Sequence, residues 1–195
     1  MKKKKSAKKL VQARSQSSSR TQKAQKRAKP KAKALPAAKM LLIESSFEFE
    51  CSLEALFEAW ATGLSHWWSR DFLVGENATT LTLEAQAGGL LYESWSGSSR
   101  KKGESLREHL VEGSIWGVVT EFEDLSRIEV TGAIGMAGIV HGKLGLDFQR
   151  TPHGSRLDLR HAAIGEVDAE TQMGYEEGWS YLIDQCLRPH VESNS

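Results

Sequence analysis

The chain has 195 residues, of which 26 are Lys or Arg and 25 are Asp or Glu, for a formal net charge of +1. The charges are segregated: residues 1–39 hold 15 of the bases and no acid, while residues 40–195 hold the other 11 against all 25 carboxylates, −14 in net. The pattern excludes a membrane span, since no apolar run approaches ~18 residues, and a zinc or CxxC centre, since Cys51 and Cys186 stand far apart and alone.

In chain order, residues 1–39 come first. They contain none of the 6 Trp, 6 Phe and 3 Tyr, too little apolar surface to offset the entropy of ordering them. A disordered basic arm is the expectation. Leu10-Val11 is too short for the apolar region of a signal peptide. The excess of Lys over Arg and the lack of an amphipathic stripe argue against a transit peptide. These features lead us to expect a cytoplasmic protein with two buried, inert thiols. The remaining 40–195 read as one domain, long enough to bury about 70% of its unfolded surface.

Leu41, Ile43, Phe47, Phe49 and Cys51 share one parity and predict a half-buried strand. Ser52 then reads as a helix N-cap, with Glu54 in the first turn. Leu53, Leu56, Phe57 and Trp60 form one apolar face, and Gly63 is the expected stop. A second short helix is expected through residues 64–69, carrying Trp67 and Trp68. Antiparallel strands follow. Residues 80–85 and 90–95 flank a Gly88-Gly89 turn, and 110–122 and 127–131 flank Glu123-Asp124. In 139–151, Val140, Leu144, Leu146 and Phe148 oppose His141, Lys143, Asp147 and Gln149. In 156–164, Leu157, Leu159 and His161 oppose Arg156, Asp158 and Arg160. Six or seven strands result. A closing helix begins at Asp168 and is expected to end at Pro189. Its stripe is Trp179, Leu182, Ile183, Cys186 and Leu187, and Gly174 and Gly178 are expected to let it approach the sheet closely. The order implies an α+β fold, a curved antiparallel sheet wrapped around a long C-terminal helix.

The strand–helix start FEFECSLEALFEAW, the Trp67-Trp68 pair, the Gly88-Gly89 turn, EGSIWGVVTEFEDLSRIEVTG, SRLDLRHAAIG and GYEEGWSYLIDQCL occur together in one order. That order resembles the Bet v 1-like helix-grip, or SRPBCC and START-related, superfamily. Within it, the chain is most similar to the family named after the activator of the 90-kDa heat-shock chaperone ATPase. The resemblance spans about residues 41–191. It implies a cavity between sheet and long helix that takes hydrophobic or aromatic small molecules, and no particular reaction. The eukaryotic activator has a folded N-terminal domain where this chain has its basic arm, which argues against chaperone regulation through the surface.

Trp67, Trp95, Trp116, Phe148, His161, Tyr175 and Trp179 are the candidate cavity residues, with core packing as the competing explanation. His161 is the foremost, because its strand parity turns it inward, where a neutral imidazole orients a ligand, acts as a base, or simply bonds a neighbour. Glu93 and Arg160 are the candidate acid and cation of a buried pair. The glycines at 132, 135, 138, 142 and 145 fit strand bends or a loop at the cavity mouth better than a phosphate cradle. The histidines lack metal-ligand spacing, so neither metal nor cofactor is expected. In the arm, Lys2, Lys3, Lys4, Lys5, Lys8, Lys9, Lys26, Arg27 and Lys29 can neutralise phosphates but offer no ring for base stacking. Weak, non-specific binding to nucleic acid or another polyanion follows. A small-molecule-binding domain is the first reading, and an enzyme of the cyclase/aromatase or hydrolase kind the second.

Overall fold

The structure, a computed structural model, describes residues 38–96 and 112–193. Strand β1 (Lys39–Phe49) leads into α1 (Leu53–Ala61), α2 (Leu64–Trp67) and a 3-10 turn at Arg70–Phe72. Six strands follow: β2 (Ala78–Leu83), β3 (Leu90–Trp95), β4 (Gly113–Glu123), β5 (Arg127–Gly132), β6 (Val140–Thr151) and β7 (Gly154–Gly165). Helix α3 (Ala169–Tyr181), a π-helical segment (Leu182–Leu187) and α4 (Arg188–Glu192) form one continuous closing helix. The strands make one antiparallel sheet in the order β1-β7-β6-β5-β4-β3-β2. This is the α+β helix-grip architecture expected from the sequence.

Register explains how the sheet builds its inner face. Ile43 pairs with His161, His161 with Leu144, Leu144 with Val130, and Val130 with Val119. The five side chains form a row across β1, β7, β6, β5 and β4, and all are buried. Because the side-chain period in a strand is two, one inward residue commits its whole strand. The outer face is charged. There Arg127 bonds Glu121 at 2.8 Å, Glu129 at 3.1 Å and also Asp147, while Lys143 bonds Glu129 at 2.8 Å. Curvature enters at bulges in the β2–β3, β3–β4 and β4–β5 pairings. It also enters at a row of facing glycines, Gly117, Gly132 and Gly142. A Cβ on Gly132 would stand 2.2 Å from the Trp116 carbonyl oxygen. Gly88, at φ +84, makes the β2–β3 turn, and its N–H donates to the Val119 carbonyl at 2.8 Å.

The helices cover the concave face. Ser52 caps α1 by accepting from the Ala55 N–H at 3.1 Å, which contributes about 1 kcal/mol. Phe57 of α1 meets Phe148 of β6 edge-on, with ring centroids 5.1 Å apart. From the closing helix, Leu182, Ile183, Leu187 and Val191 are buried in the same core.

Several local expectations need correction. Gly63 does follow the end of α1, after the Thr62 C-cap, but at φ −96 rather than in a left-handed conformation. It starts α2 close to α1, where a Cβ would come within 3.0 Å of Ala59. The second helix ends at Trp67 rather than 69, and strand β2 runs over 78–83 rather than 80–85. Pro189 does not end the closing helix. In the π segment the Arg188 N–H donates to Ile183, five residues back, which shifts the ladder by one residue just ahead of the proline. The shift relieves the ring's clash with the preceding turn, and α4 continues with Pro189 in its first turn. Cys186 is only partly buried, whereas Cys51 is buried against Ser155, 3.6 Å from its hydroxyl. Burial pushes both thiols up. Among the described residues no helix is long and apolar enough to cross a membrane.

Candidate functional site

The first half of the closing helix buries few of its side chains. In α3 only Trp179 is buried, and a Cβ added to Gly174 would meet no described atom within 4 Å. A Cβ on Gly178 would meet the ring of Phe72 at 3.0 Å rather than a strand. The two glycines therefore leave room instead of allowing close approach to the sheet, which corrects the sequence expectation. The room is a cleft of about 340 Å³, partly open to solvent. One wall is α3, with Thr171, Gly174, Tyr175, Gly178 and Trp179; the other is Trp68 with Asp71, Phe72 and Leu73. Trp116 and the loop residues Ile134 and Gly135 form the floor. Gly135 has φ +72, and a Cβ there would lie 2.9 Å from the Trp116 ring, so the loop fits over the indole only with glycine at this position.

The aromatic residues touch one another in a connected cluster. Trp68 meets Trp116 and Trp179 edge-to-face at 5.7 and 5.8 Å, and Trp60 lies 5.0 Å from Trp67 and 6.3 Å from Trp179. Phe72 stacks on Tyr181 at 5.6 Å. The indole N–H groups of Trp60, Trp68 and Trp116 are buried without a partner among the described residues.

His161 lies directly behind this wall, with none of its surface exposed. Its Nδ1 accepts the indole N–H of Trp179 at 3.2 Å, and Tyr175 meets its ring edge-on at 5.4 Å. Burial lowers its pKa to about 4, so it is neutral at pH 7. With Nδ1 accepting, the proton sits on Nε2, which has no partner among the described residues. Burial also pushes the Tyr175 phenol up to about 12.

Of the residues singled out in the sequence, Trp116, Tyr175 and Trp179 line the cleft, and His161 supports it from behind. Trp67 lies in the core, its indole N–H donating to the Ala59 carbonyl at 2.8 Å. Phe148 is in the core against Phe57. Trp95 is on the surface, 36% exposed, donating to Glu93 at 3.2 Å. Glu93 and Arg160 do not pair. Arg160 is on the outer face with Glu44 at 2.9 Å, because its parity is opposite to that of His161. Glu93 is fully buried and accepts the N–H groups of Val74 and Gly75, the latter at 3.1 Å, besides the Trp95 indole. The nine basic residues named in the arm lie outside the described residues. Trp68, Asp71, Phe72 and Leu73 were not foreseen, because residues 68–75 show no periodicity and are placed by the long-range bonds from Glu93. Among the described residues no three His, Cys, Asp or Glu side chains gather as a metal site would require.

The sheet order, the paired short helices after β1 and the closing helix together define a helix-grip fold. Solved structures share it. A protein from Rhizobium leguminosarum is similar with a TM-score of 0.55 at 15% identity, covering 80% of this chain and 97% of that one. The Staphylococcus aureus protein SA2116 gives 0.54 at 12% identity, covering 80% and 96%. The AHSA1-like protein from Aeromonas hydrophila gives 0.51 at 16% identity, covering 79% and 94%. No protein-family model matches the chain, and no curated protein matches it by sequence. At these identities the likeness concerns the fold alone.

Proposed function

We propose that the domain binds a small apolar or aromatic molecule in the cleft between α3 and the Trp68–Leu73 segment, and that residues 1–39 attach it to nucleic acid or another polyanion. The observation that carries the first part is the pairing of an aromatic-walled space of about 340 Å³ with two glycines on the helix beside it. Each glycine costs about 1 kcal/mol of helix stability relative to alanine. Side chains at these positions would intrude on the cleft. The volume lies at the lower end of the range of small-molecule sites. The polar groups of the lining are few: the Asp71 carboxylate, the Thr171 hydroxyl and the Tyr175 phenol. A catalyst needs several convergent polar groups, so this lining favours binding over reaction.

Gly174→Leu tests the reading. It should plug the cleft while stabilising the helix by up to about 1 kcal/mol. Native mass spectrometry of the purified protein should show a bound small molecule in the wild type and none in the variant. An unchanged adduct, or a variant less stable than wild type, would refute a ligand at this place.

A further inference from the structure

We propose that the ligand of this cleft is an organic cation, an apolar or aromatic body carrying a quaternary or tertiary ammonium group. The inference rests on the cleft being a binding site and adds the charge of its occupant. Five rings, from Trp68, Phe72, Trp116, Tyr175 and Trp179, line the space, and the one charged side chain among the lining residues is the carboxylate of Asp71. The unpartnered indole N–H groups of Trp68 and Trp116 are inaccessible to solvent. Apart from the Thr171 hydroxyl, which donates to Asp168, and the Tyr175 phenol, the cleft presents ring surface and a carboxylate. Ring faces attract a cation through their quadrupole, and an ammonium is far better suited to such a lining than an anion.

The surrounding charge has the same sign. Helix α3 carries Glu170, Glu176 and Glu177 and has no Lys or Arg. Asp71 is exposed and has no salt bridge among the described residues. Arg70, its neighbour in sequence, does not line the cleft. Residues 40–195 together carry −14, although the arm offsets this in the full chain. An anionic ligand would meet the Asp71 carboxylate, and no Lys or Arg lines the cleft among the described residues.

The test uses the full chain and two probes of the same shape, (4-hydroxyphenyl)trimethylammonium and its neutral carbon isostere 4-tert-butylphenol. Both are followed through the indole N–H resonances of Trp68, Trp116 and Trp179. The cation should bind roughly tenfold more tightly than the phenol. Asp71→Asn should weaken the cation about threefold, in keeping with an exposed ion pair, and leave the phenol unchanged. Equal affinity for the two probes, or a cation indifferent to Asp71→Asn, would overturn the cation inference and leave the cleft as an apolar site. Indole resonances that move with neither probe at millimolar concentration would overturn the binding site itself.

Discussion

Acidification should destabilise this protein through His161. The imidazole is fully buried, and its native pKa of about 4 lies well below the ordinary 6.5. Between those values the unfolded chain binds a proton that the native state refuses, so stability rises with pH across the window and falls as pH drops through it. Above about pH 6.5 the contribution is fully present. It should decline by about 1.4 kcal/mol on reaching pH 5.5 and by roughly 3 kcal/mol in all on reaching pH 4. The physical reason is that an imidazolium would lose its hydration and turn the Nδ1 acceptor of the Trp179 N–H into a second donor. His161→Gln separates this effect from others, since an amide oxygen can accept the same indole N–H and does not titrate. Urea unfolding from pH 7 to 4.5 should show a sloping stability for the wild type and a nearly flat one for the variant. Glu129 is held below the usual carboxylate range by Lys143, Thr120 and Arg127, against its own desolvation, so its loss comes at lower pH. Equal slopes in the two proteins, or a His161 titration midpoint near 6.5 by NMR, would refute the argument.

Two further outcomes are expected. Glu93→Gln should cost about 2–4 kcal/mol, because an amide group would turn an NH2 toward donors that now meet a carboxylate; hydrogen exchange at Val74 and Gly75 should speed up, and unchanged protection would show that Glu93 does not hold that segment. The full chain should bind duplex DNA with log affinity falling against log salt at a slope near −7, if about eight basic groups of the arm contact phosphates, whereas a fragment starting at residue 38, which keeps β1 whole, should not bind; equal affinities would sink the tether.

The sheet was legible because alternation is a local signal. Leu157, Leu159 and His161 turn inward together for the same reason that Arg156, Asp158 and Arg160 turn outward. The closing helix was legible from its cap and stripe, but its end was not. A proline signals termination unless the ladder shifts ahead of it, and nothing local to Pro189 announces the π segment. The cleft was half legible. Trp116 and Trp179 follow from their periods. Trp68 does not, because helical spacing turns neighbouring residues to different faces. In the structure α2 stops at Trp67, and Trp68 adopts extended backbone at ψ 124, so both indoles reach the aromatic cluster. Asp71, Phe72 and Leu73 depend on Glu93, which lies about twenty residues further along the chain. The glycines were visible, but a missing side chain fits a tight contact and an empty space equally well.

The packing of the closing helix accounts for the position of the cleft. The helix is fastened at its C-terminal end, where Leu182, Ile183, Leu187 and Val191 are buried; toward the N-terminus Trp179 is the last fully buried residue, and Tyr175 is partly buried against His161. Beyond that point α3 has its Asp168 cap, which accepts the Thr171 N–H at 2.8 Å, and two glycines that weaken it. The His161–Trp179 bond thus marks where the deeply buried part of the helix gives way to a part with fewer buried side chains. Local opening free energies are smallest where few apolar contacts are buried. The part with fewer buried side chains is therefore the segment best suited to yield to a ligand. A side chain bulky enough to tighten α3 against the Trp68–Leu73 wall would occupy the space the ligand needs. Stability in this half of the helix and access to the cleft are in direct opposition, and Gly174 and Gly178 resolve it toward access.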